Sequence, residues 1–272
     1  MIIEQNILGE DWDNLIILDA CRFDFFKKVY KDYLDGKLEK RISKGSGTPE
    51  WLAKTFPNKY DYTYISANPF INSYGLPLNK CHPSCKNYSW NAIKHFSKII
   101  DVWEFGYTKE LDAVHPREVN MAYLSNKDKE KTIIHYMQPH QPFLSYKGIF
   151  ENSNMVKLIK NIYLNFIPKG TLKLIQPSII WPRLYKLFNK HHQLSHKLVI
   201  CEEFGIDRLY YYYEDNLRIV LKYASQLINE LDGKTIITSD HGEAFGEQGK
   251  WAHPDKTHIP ILIEVPWLEV KS

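Results

Sequence analysis

The chain has 272 residues, of which 44% are hydrophobic and 25% are charged, and its formal net charge is +3. This composition excludes a disordered chain and shows no charge pattern typical of nucleic-acid binding. Its four cysteines are too few to build a disulfide scaffold. We therefore expect a single catalytic domain over 1–272 with one large core, and no nucleic-acid partner.

The first predicted strand is the apolar run Asn14–Ala20, which carries the carboxylate of Asp19 at its end. Continuous apolar runs are typical of strands buried on both faces of a parallel sheet. An amphipathic helix is predicted to follow, from Arg22 to about Leu34.

Strands and helices alternate along the rest of the chain. The further predicted strands are Tyr62–Ala67, Ile99–Trp103, Thr132–Met137, Thr235–Thr238 and Ile259–Val265. The further predicted helices are Pro49–Phe56, Trp90–Ile99, Pro116–Leu124 and Asp207–Leu231. The alternation predicts an α/β fold, with a mostly parallel central sheet, helices on both faces and sites at the carboxyl ends of strands.

The segment 147–205 breaks this alternation, because it is basic, apolar and irregular, with lysines that include Lys157 and Lys197. We interpret it as a basic helical insertion within the domain. One interpretation is a cap with a solvated basic face. The other is a lid that docks an anionic substrate or makes a peripheral membrane contact through lipid headgroups.

The strand Thr235–Thr238 is followed by Asp240 and His241, and then by Gly242, which allows a close backbone approach. A carboxylate beside an imidazole can bind one divalent ion, and this donor set suits zinc or manganese. The alternative is a hydrogen-bonded turn. Asp19 also ends a strand, where it is either paired or metal-bound, or caps the next helix.

The segment Gly45–Trp51 places two hydroxyls, Ser46 and Thr48, just before a helix that Pro49 can start. At a helix N-terminus, backbone amides and the helix dipole stabilise an oxyanion. A hydroxyl beside a metal there would be a nucleophile. The alternative is that Ser46 or Thr48 only caps the helix.

Together, Asp19, the Ser46–Thr48 segment and Asp240–His241 resemble the alkaline phosphatase superfamily. The segments Ser239–Glu243 and Gly246–His253 are similar to the closing motif of its sulfatases, and His135–Pro142 is similar to its central strand-end segment. The resemblance implies three substrate-binding residues, which are His140, His253 and His258. For His253 and His258 the alternative is a structural surface histidine.

Sulfatases usually carry adjacent acids where this chain has Asp19 followed by Ala20. The single acid resembles instead the phosphoglycerol and phosphoethanolamine transferase branch. The resemblance implies a divalent metal held by Asp19, Asp240 and His241: zinc or manganese, with calcium or magnesium as alternatives. It also implies a hydroxyl nucleophile, for which Ser46 is the first choice and Thr48 the alternate.

The segment Cys81–Cys85 matches the formylglycine motif of sulfatases except for its arginine. Without its structural context we interpret this as a chance match.

The expected function is a metal-dependent hydrolase or transferase of a phosphate or sulfate ester, either a small molecule or linked to a glycan or lipid. The alternatives are a phosphomutase similar to phosphoglycerate mutase, and a non-catalytic metal-containing binding protein. Because the sequence shows no signal-peptide pattern and no apolar run of roughly 18 residues, we expect a soluble cytoplasmic protein.

Overall fold

The computed structural model describes residues 3–126, 131–146, 197, 200, 201 and 204–271. Its strands are β1 Asn14–Leu18, β2 Gly36–Ile42, β3 Tyr60–Ser66, β4 Phe96–Asp101, β5 Tyr107–Thr108, β6 Ala113–Val114, β7 Thr132–Tyr136, β8 Thr235–Thr238, β9 Ala244–Phe245, β10 Trp251–Ala252 and β11 Glu264–Val270. Its α-helices are α1 Phe23–Val29, α2 Thr48–Thr55, α3 Leu78–Cys81, α4 Val102–Phe105, α5 Pro116–Leu124, α6 Ile206–Ile228 and α7 Pro260–Ile263. Short 3₁₀ turns include Tyr30–Asp32 and Ala92–Lys94.

The main sheet has seven strands in the order β2-β11-β8-β1-β7-β3-β4. The five strands from β8 to β4 are parallel to their neighbours, and β11 is antiparallel to both β8 and β2. The predicted mostly parallel sheet is therefore confirmed. Its carboxyl edge gathers the ends of β1, β7 and β8, because these three strands are adjacent.

The central strand β1 is buried on both faces, as its continuous apolar sequence predicts. Successive side chains of a strand point to opposite faces. Ile16 and Leu18 pack into one core with apolar residues of α1, α5 and α6. Leu15 and Ile17 pack into a second core with residues of α2. The sheet therefore carries helices on both faces, with α1, α5 and α6 on one face and α2 on the other.

Two predicted elements are wrong. The predicted helix Trp90–Ile99 is a 3₁₀ turn over Ala92–Lys94 followed by β4. The predicted strand Ile259–Val265 begins as helix α7, where Pro260 suits the first turn. The carbonyl of Leu262 accepts a hydrogen bond from the amide of Gly242 at 2.8 Å, which ties α7 to the loop after β8.

The predicted insertion 147–205 lies almost entirely outside the described residues, so its helical character stays a prediction, as does the single-domain boundary. Of this segment, the structure describes Lys197, Ile200, Cys201, Phe204 and Gly205. Within the described ranges, none of the helices combines the length and the apolarity that a membrane crossing requires.

Candidate active site

The aspartate group, which consists of Asp19, Asp240 and His241, lies at the carboxyl edge of the sheet. Asp19 directly follows β1, and the other two residues lie just beyond β8. Because β1 and β8 are parallel neighbours, their ends meet. The three side chains are buried, with Asp19 2% exposed and Asp240 and His241 0% exposed. The structure thus brings together the residues that the sequence predicts as metal ligands.

The ligand atoms of the aspartate group lie within 4.8 Å of one another. His241 Nε2 lies 3.3 Å from Asp240 Oδ2 and 3.9 Å from Asp19 Oδ1. The hydroxyl of Thr48, the first residue of α2, donates to Asp240 Oδ2 at 2.7 Å and lies 3.3 Å from His241 Nε2. Two carboxylates, one imidazole and one hydroxyl therefore converge.

Backbone hydrogen bonds fix the orientation of Asp240 and His241. His241 Nδ1 lies 2.7 Å from the carbonyl oxygen of Gly242, so Nδ1 carries the proton and Nε2 presents its lone pair to the group. Asp240 Oδ1 accepts hydrogen bonds from the amides of Ala20 and His241, which leaves Oδ2 for Thr48. At Gly242 a Cβ atom would overlap the carbonyl oxygen of Ile261, so only glycine fits this turn.

Asp19 is held by Asn68 and by His135, a buried residue of β7. Asn68 Nδ2 donates to Asp19 Oδ2 at 2.6 Å, and His135 Nε2 lies 3.5 Å from the same oxygen. His135 Nδ1 lies 2.9 Å from the hydroxyl of Tyr64, whose pKa burial raises well above its usual value. The protonated phenol donates to Nδ1, so the proton of His135 lies on Nε2 and faces Asp19.

The aspartate group fits a divalent metal ion. Burial alone would raise the pKa of Asp19, but the contact with His135 and the neighbouring His140 hold it well below its usual range. Within the described ranges, neither Asp19 nor Asp240 forms an ion pair with a lysine or arginine. Buried adjacent carboxylates need a counter-charge, and a donor set of carboxylate, imidazole and hydroxyl suits zinc or manganese.

Ser46 lies in a different environment from Thr48. Its hydroxyl donates to the carbonyl oxygen of Pro254 at 3.0 Å and accepts from the amide of Thr257 at 3.0 Å. It also lies 3.3 Å from Glu50 Oε2. Ser46 therefore attaches the loop that carries His253 to the start of α2, and it is not part of the aspartate group.

His258 likewise lies apart from the aspartate group. Its Nε2 atom is 2.9 Å from Glu50 Oε1, and its side chain is 45% exposed. His258 and Ser46 thus share the carboxylate of Glu50, so the sequence-predicted substrate role of His258 has no support from its position.

A second set of side chains, the lysine group, adjoins the first and contains His140, Glu243, His253 and Lys197. The ring of His253 lies 4.5 Å from that of His241 and 5.2 Å from that of His140, measured between centroids. His253 Nδ1 is 3.5 Å from Glu243 Oε1, and Lys197 Nζ is 2.7 Å from Glu243 Oε2. The structure therefore places His140 and His253 beside the aspartate group, and the substrate-binding role that the resemblance implies for them stays a prediction.

Sequence reasoning gave Lys197 only a share in the basic character of 147–205, and it gave Glu243 no role. Lys197 resembles the other lysines of 147–205 in the sequence, yet it is 2% exposed. For Glu243 a signal was present, because an acid directly follows Asp240, His241 and Gly242.

The cysteines of the Cys81–Cys85 segment belong to neither group. Burial raises the pKa of Cys81 to about 12 and that of Cys85 to about 11. Both thiols therefore stay protonated at neutral pH, and neither has the properties of a reactive or metal-binding thiolate.

No protein-family model and no curated protein matches the sequence. Among solved structures, the soluble domain of lipooligosaccharide phosphoethanolamine transferase A from Neisseria meningitidis is 12% identical, with a TM-score of 0.50, over 94% of this chain and 75% of that one. The integral membrane form of the same enzyme is 13% identical, with a TM-score of 0.48, over 94% of this chain and 47% of that one. A zinc complex of the C-terminal periplasmic domain of EptC from Escherichia coli is 11% identical, with a TM-score of 0.47, over 100% of this chain and 77% of that one.

At these identities the likeness shows the fold. The chain therefore has an alkaline-phosphatase-like fold, as the sequence predicts. The predicted cytoplasmic location is contradicted, because the solved structure that shares this fold at a TM-score of 0.50 is the soluble domain of a lipooligosaccharide phosphoethanolamine transferase.

Proposed function

We propose that this chain, which has the alkaline-phosphatase-like fold, is a metal-dependent transferase or hydrolase of phosphate esters that uses Thr48 as its nucleophile. The position of the Thr48 hydroxyl carries the proposal, because it lies within 3.3 Å of both Asp240 and His241. The sequence preference for Ser46 is thereby reversed, since the Ser46 hydroxyl is engaged with Pro254 and Thr257.

The proposed metal ligands are Asp19, Asp240, His241 and the Thr48 hydroxyl. A divalent ion there would lower the pKa of the hydroxyl and offset charge on the transferred group. Zinc or manganese suits these ligands, with calcium or magnesium as alternatives.

Thr48 starts α2, so its hydroxyl lies at a helix N-terminus, where backbone amides and the helix dipole favour negative charge. As Thr48 Oγ1 forms a bond to phosphorus, the bond to the leaving alcohol breaks in line with it. The Thr48 proton passes to Asp240 Oδ2, which accepts the hydrogen bond of that hydroxyl here, and the departing alcohol oxygen takes up a proton from solvent. A water molecule or an acceptor alcohol then breaks the ester on Thr48. Positioning and electrostatics supply most of the rate enhancement in such reactions.

By analogy with the transferase whose fold it shares, we propose a lipid- or glycan-linked phosphate ester as the natural substrate, with sulfate esters as the alternative. The lid or membrane contact proposed for 147–205 would serve such a substrate. His140 and His253 lie beside the proposed metal ligands, and we propose that they contact the transferred group.

The test is hydrolysis of p-nitrophenyl phosphate, bis(p-nitrophenyl) phosphate and p-nitrophenyl sulfate by chelator-stripped protein to which zinc, manganese, magnesium or calcium is restored. We expect metal-dependent release of p-nitrophenol that Thr48→Ala abolishes and Ser46→Ala, the matched control, retains. The best substrate identifies the ester class. If no metal restores release, or if Thr48→Ala remains active, the proposal is wrong, and an inert metal-bound protein would favour the binding-protein alternative.

A further inference from the structure

The turn that follows β1, residues 19–22, has a strained backbone. Ala20 has a φ of 56°, which lies in the left-handed region that residues other than glycine rarely adopt. Such a conformation persists only where the surrounding contacts hold it. Because Asp19 directly precedes Ala20, the direction in which the Asp19 carboxylate points depends on how this turn is held.

Two backbone amides of the turn donate to the loop that follows β8. The amide of Ala20 donates to Asp240 Oδ1 at 3.1 Å. The amide of Cys21 donates to the hydroxyl of Ser239 at 2.8 Å. The left-handed conformation of Ala20 therefore also decides whether its amide reaches Asp240.

The hydroxyl of Tyr213, a residue of α6, holds the turn from the other side. It donates to the carbonyl oxygen of Ala20 at 2.6 Å and accepts from the amide of Arg22 at 2.9 Å. Tyr213 is 1% exposed, and among the described residues its hydroxyl is the hydrogen-bond partner of both backbone groups. Because a buried backbone group without a partner is costly, this one hydroxyl stabilises the strained turn.

Tyr213 is the last of four consecutive tyrosines, Tyr210–Tyr213. Consecutive residues of a helix point in directions about 100° apart, so the four side chains face different surroundings. Tyr211 is 53% exposed. The ring of Tyr213 instead packs against those of Phe25 and Phe245, with centroids 5.0 Å apart in both pairs. The structure thus distinguishes Tyr213 from neighbours of identical type.

The alternative is that Tyr213 only attaches α6 to the rest of the domain. Other contacts of α6 already do so. Asn216 Nδ2, one helical turn further along, donates to the carbonyl oxygens of Pro139 and His140 at 3.2 and 3.1 Å. Leu217 lies in the large apolar core. Tyr213→Phe keeps these contacts and the ring, so we expect the variant to fold.

We propose that Tyr213 is a positioning residue for the aspartate group, because its hydroxyl holds Ala20 in the left-handed conformation. That conformation directs the carboxylate of Asp19 and presents the amide of Ala20 to Asp240. The inference rests on the proposed function, since it needs a metal ion bound by these two carboxylates. It gives α6 a part in the site through a side chain that is neither a proposed ligand nor the nucleophile.

The first experiment measures the Kd for zinc of the chelator-stripped full chain by competition with a zinc-binding dye. We expect Tyr213→Phe to raise the Kd at least about tenfold, the usual cost of losing a group that orients a metal ligand. Tyr211→Phe is the matched control, because it removes the same hydroxyl from an exposed position of the same helix, and it should bind zinc as the parent does. Equal Kd values in Tyr213→Phe and the parent would overturn the inference.

The second experiment tests whether Tyr213 acts through the strain at Ala20. Glycine adopts positive φ without strain, so the turn of Ala20→Gly depends less on the hydroxyl. Adding Tyr213→Phe to Ala20→Gly should raise the Kd for zinc by no more than about threefold, against about tenfold or more in the parent. An equally large loss in both backgrounds would overturn the inference. The comparison within the Ala20→Gly background also serves if Tyr213→Phe alone does not fold.

This inference and the proposed function fail in different ways, and neither experiment uses turnover. A parent protein that binds no zinc, or whose zinc affinity is unchanged in Asp240→Asn, would overturn the proposed metal site and this inference with it. A parent whose zinc affinity depends on Asp240 and not on Tyr213 would overturn this inference alone.

Discussion

The aspartate group and the lysine group are built from the same kinds of residues, yet they differ in charge balance. Asp19 and Asp240 are buried without an ammonium or guanidinium partner among the described residues, whereas Glu243 has Lys197 at 2.7 Å. In both groups the candidate ligand atoms are carboxylate oxygens and imidazole nitrogens that lie within 4.8 Å of one another. On the proposed function, we therefore expect the aspartate group, which lacks such a partner, to be the group that binds a metal ion.

The largest expected effect in this comparison is that of Thr48, which belongs to the aspartate side. Thr48→Ala should lower kcat by at least about 10³-fold, the scale seen when a nucleophile is removed. Thr48→Ser keeps a hydroxyl at the same position and should retain measurable turnover. Initial rates with the best aryl ester measure the effect. If Ser46→Ala lowered kcat as much as Thr48→Ala, the loss could not be assigned to the Thr48 hydroxyl as the nucleophile.

The second largest effect concerns Asp240, whose carboxylate belongs to the aspartate group and not to the lysine group. Asp240→Asn should abolish the rise in Tm that metal addition causes, because binding to the native state is lost. In stripped protein it should not lower Tm, since it removes one of two adjacent buried negative charges. Thermal unfolding with and without zinc measures both. A Tm increase with zinc equal to that of the parent would show that the metal lies elsewhere.

The support of Asp19 by His135 and Tyr64 predicts a smaller effect on metal affinity. His135→Leu should weaken zinc binding about 10- to 100-fold, the usual cost of losing a residue that orients a metal ligand. Tyr64→Phe removes only the hydroxyl that fixes the tautomer of His135 and should weaken binding less. Competition with a zinc-binding dye measures both. Affinities unchanged in His135→Leu would show that Asn68 alone orients Asp19.

The neutral His140 of the lysine group predicts a pH dependence of stability. Its folded-state pKa of about 4 lies below the ordinary 6.5, so the unfolded state binds more protons between these values. The free energy of unfolding of metal-free protein should fall by about 2 kcal/mol between pH 7 and pH 5, with the rest of the loss at lower pH. His140→Asn should lose less over the same range. Urea unfolding at pH 7 and pH 5 makes the comparison, and equal losses would contradict a neutral His140.

The smallest effect is expected at His258, which lies outside both groups. Its contact with Glu50 is a polar contact from a half-exposed imidazole, and such surface contacts contribute about 0–1 kcal/mol. His258→Ala should leave zinc affinity and kcat/KM within about threefold of the parent protein. A loss of tenfold or more in either quantity would return His258 to the substrate site.

The sequence could predict the residues that follow strands. Asp19, Asp240 and His241 are recognisable because a buried apolar strand precedes each position, and parallel strands bring their ends together. It could not choose between Ser46 and Thr48. Which hydroxyl faces the aspartate group depends on the extended backbone at Gly47 and the exact start of α2, and residue types do not encode either.

The burial of Lys197 and the wrongly predicted elements could not be predicted from the sequence, for other reasons. A lysine in an irregular basic segment has the same local signature whether it is solvated or buried. Strand β2 was missed because it is a half-exposed edge strand with a charged sequence. Helix α7 was predicted as a strand because its apolar run fits both structures, and the hydrogen bond between Gly242 and Leu262 is a tertiary contact.

The most direct test of the account is anomalous X-ray scattering at the zinc edge from crystals of the zinc-loaded protein. We predict a peak at about 2.0–2.2 Å from atoms of Asp19, Asp240 and His241. We also predict no peak among His140, Glu243 and His253, with the ammonium of Lys197 in contact with Glu243. A zinc peak in the lysine group, or none in the aspartate group, would contradict the account.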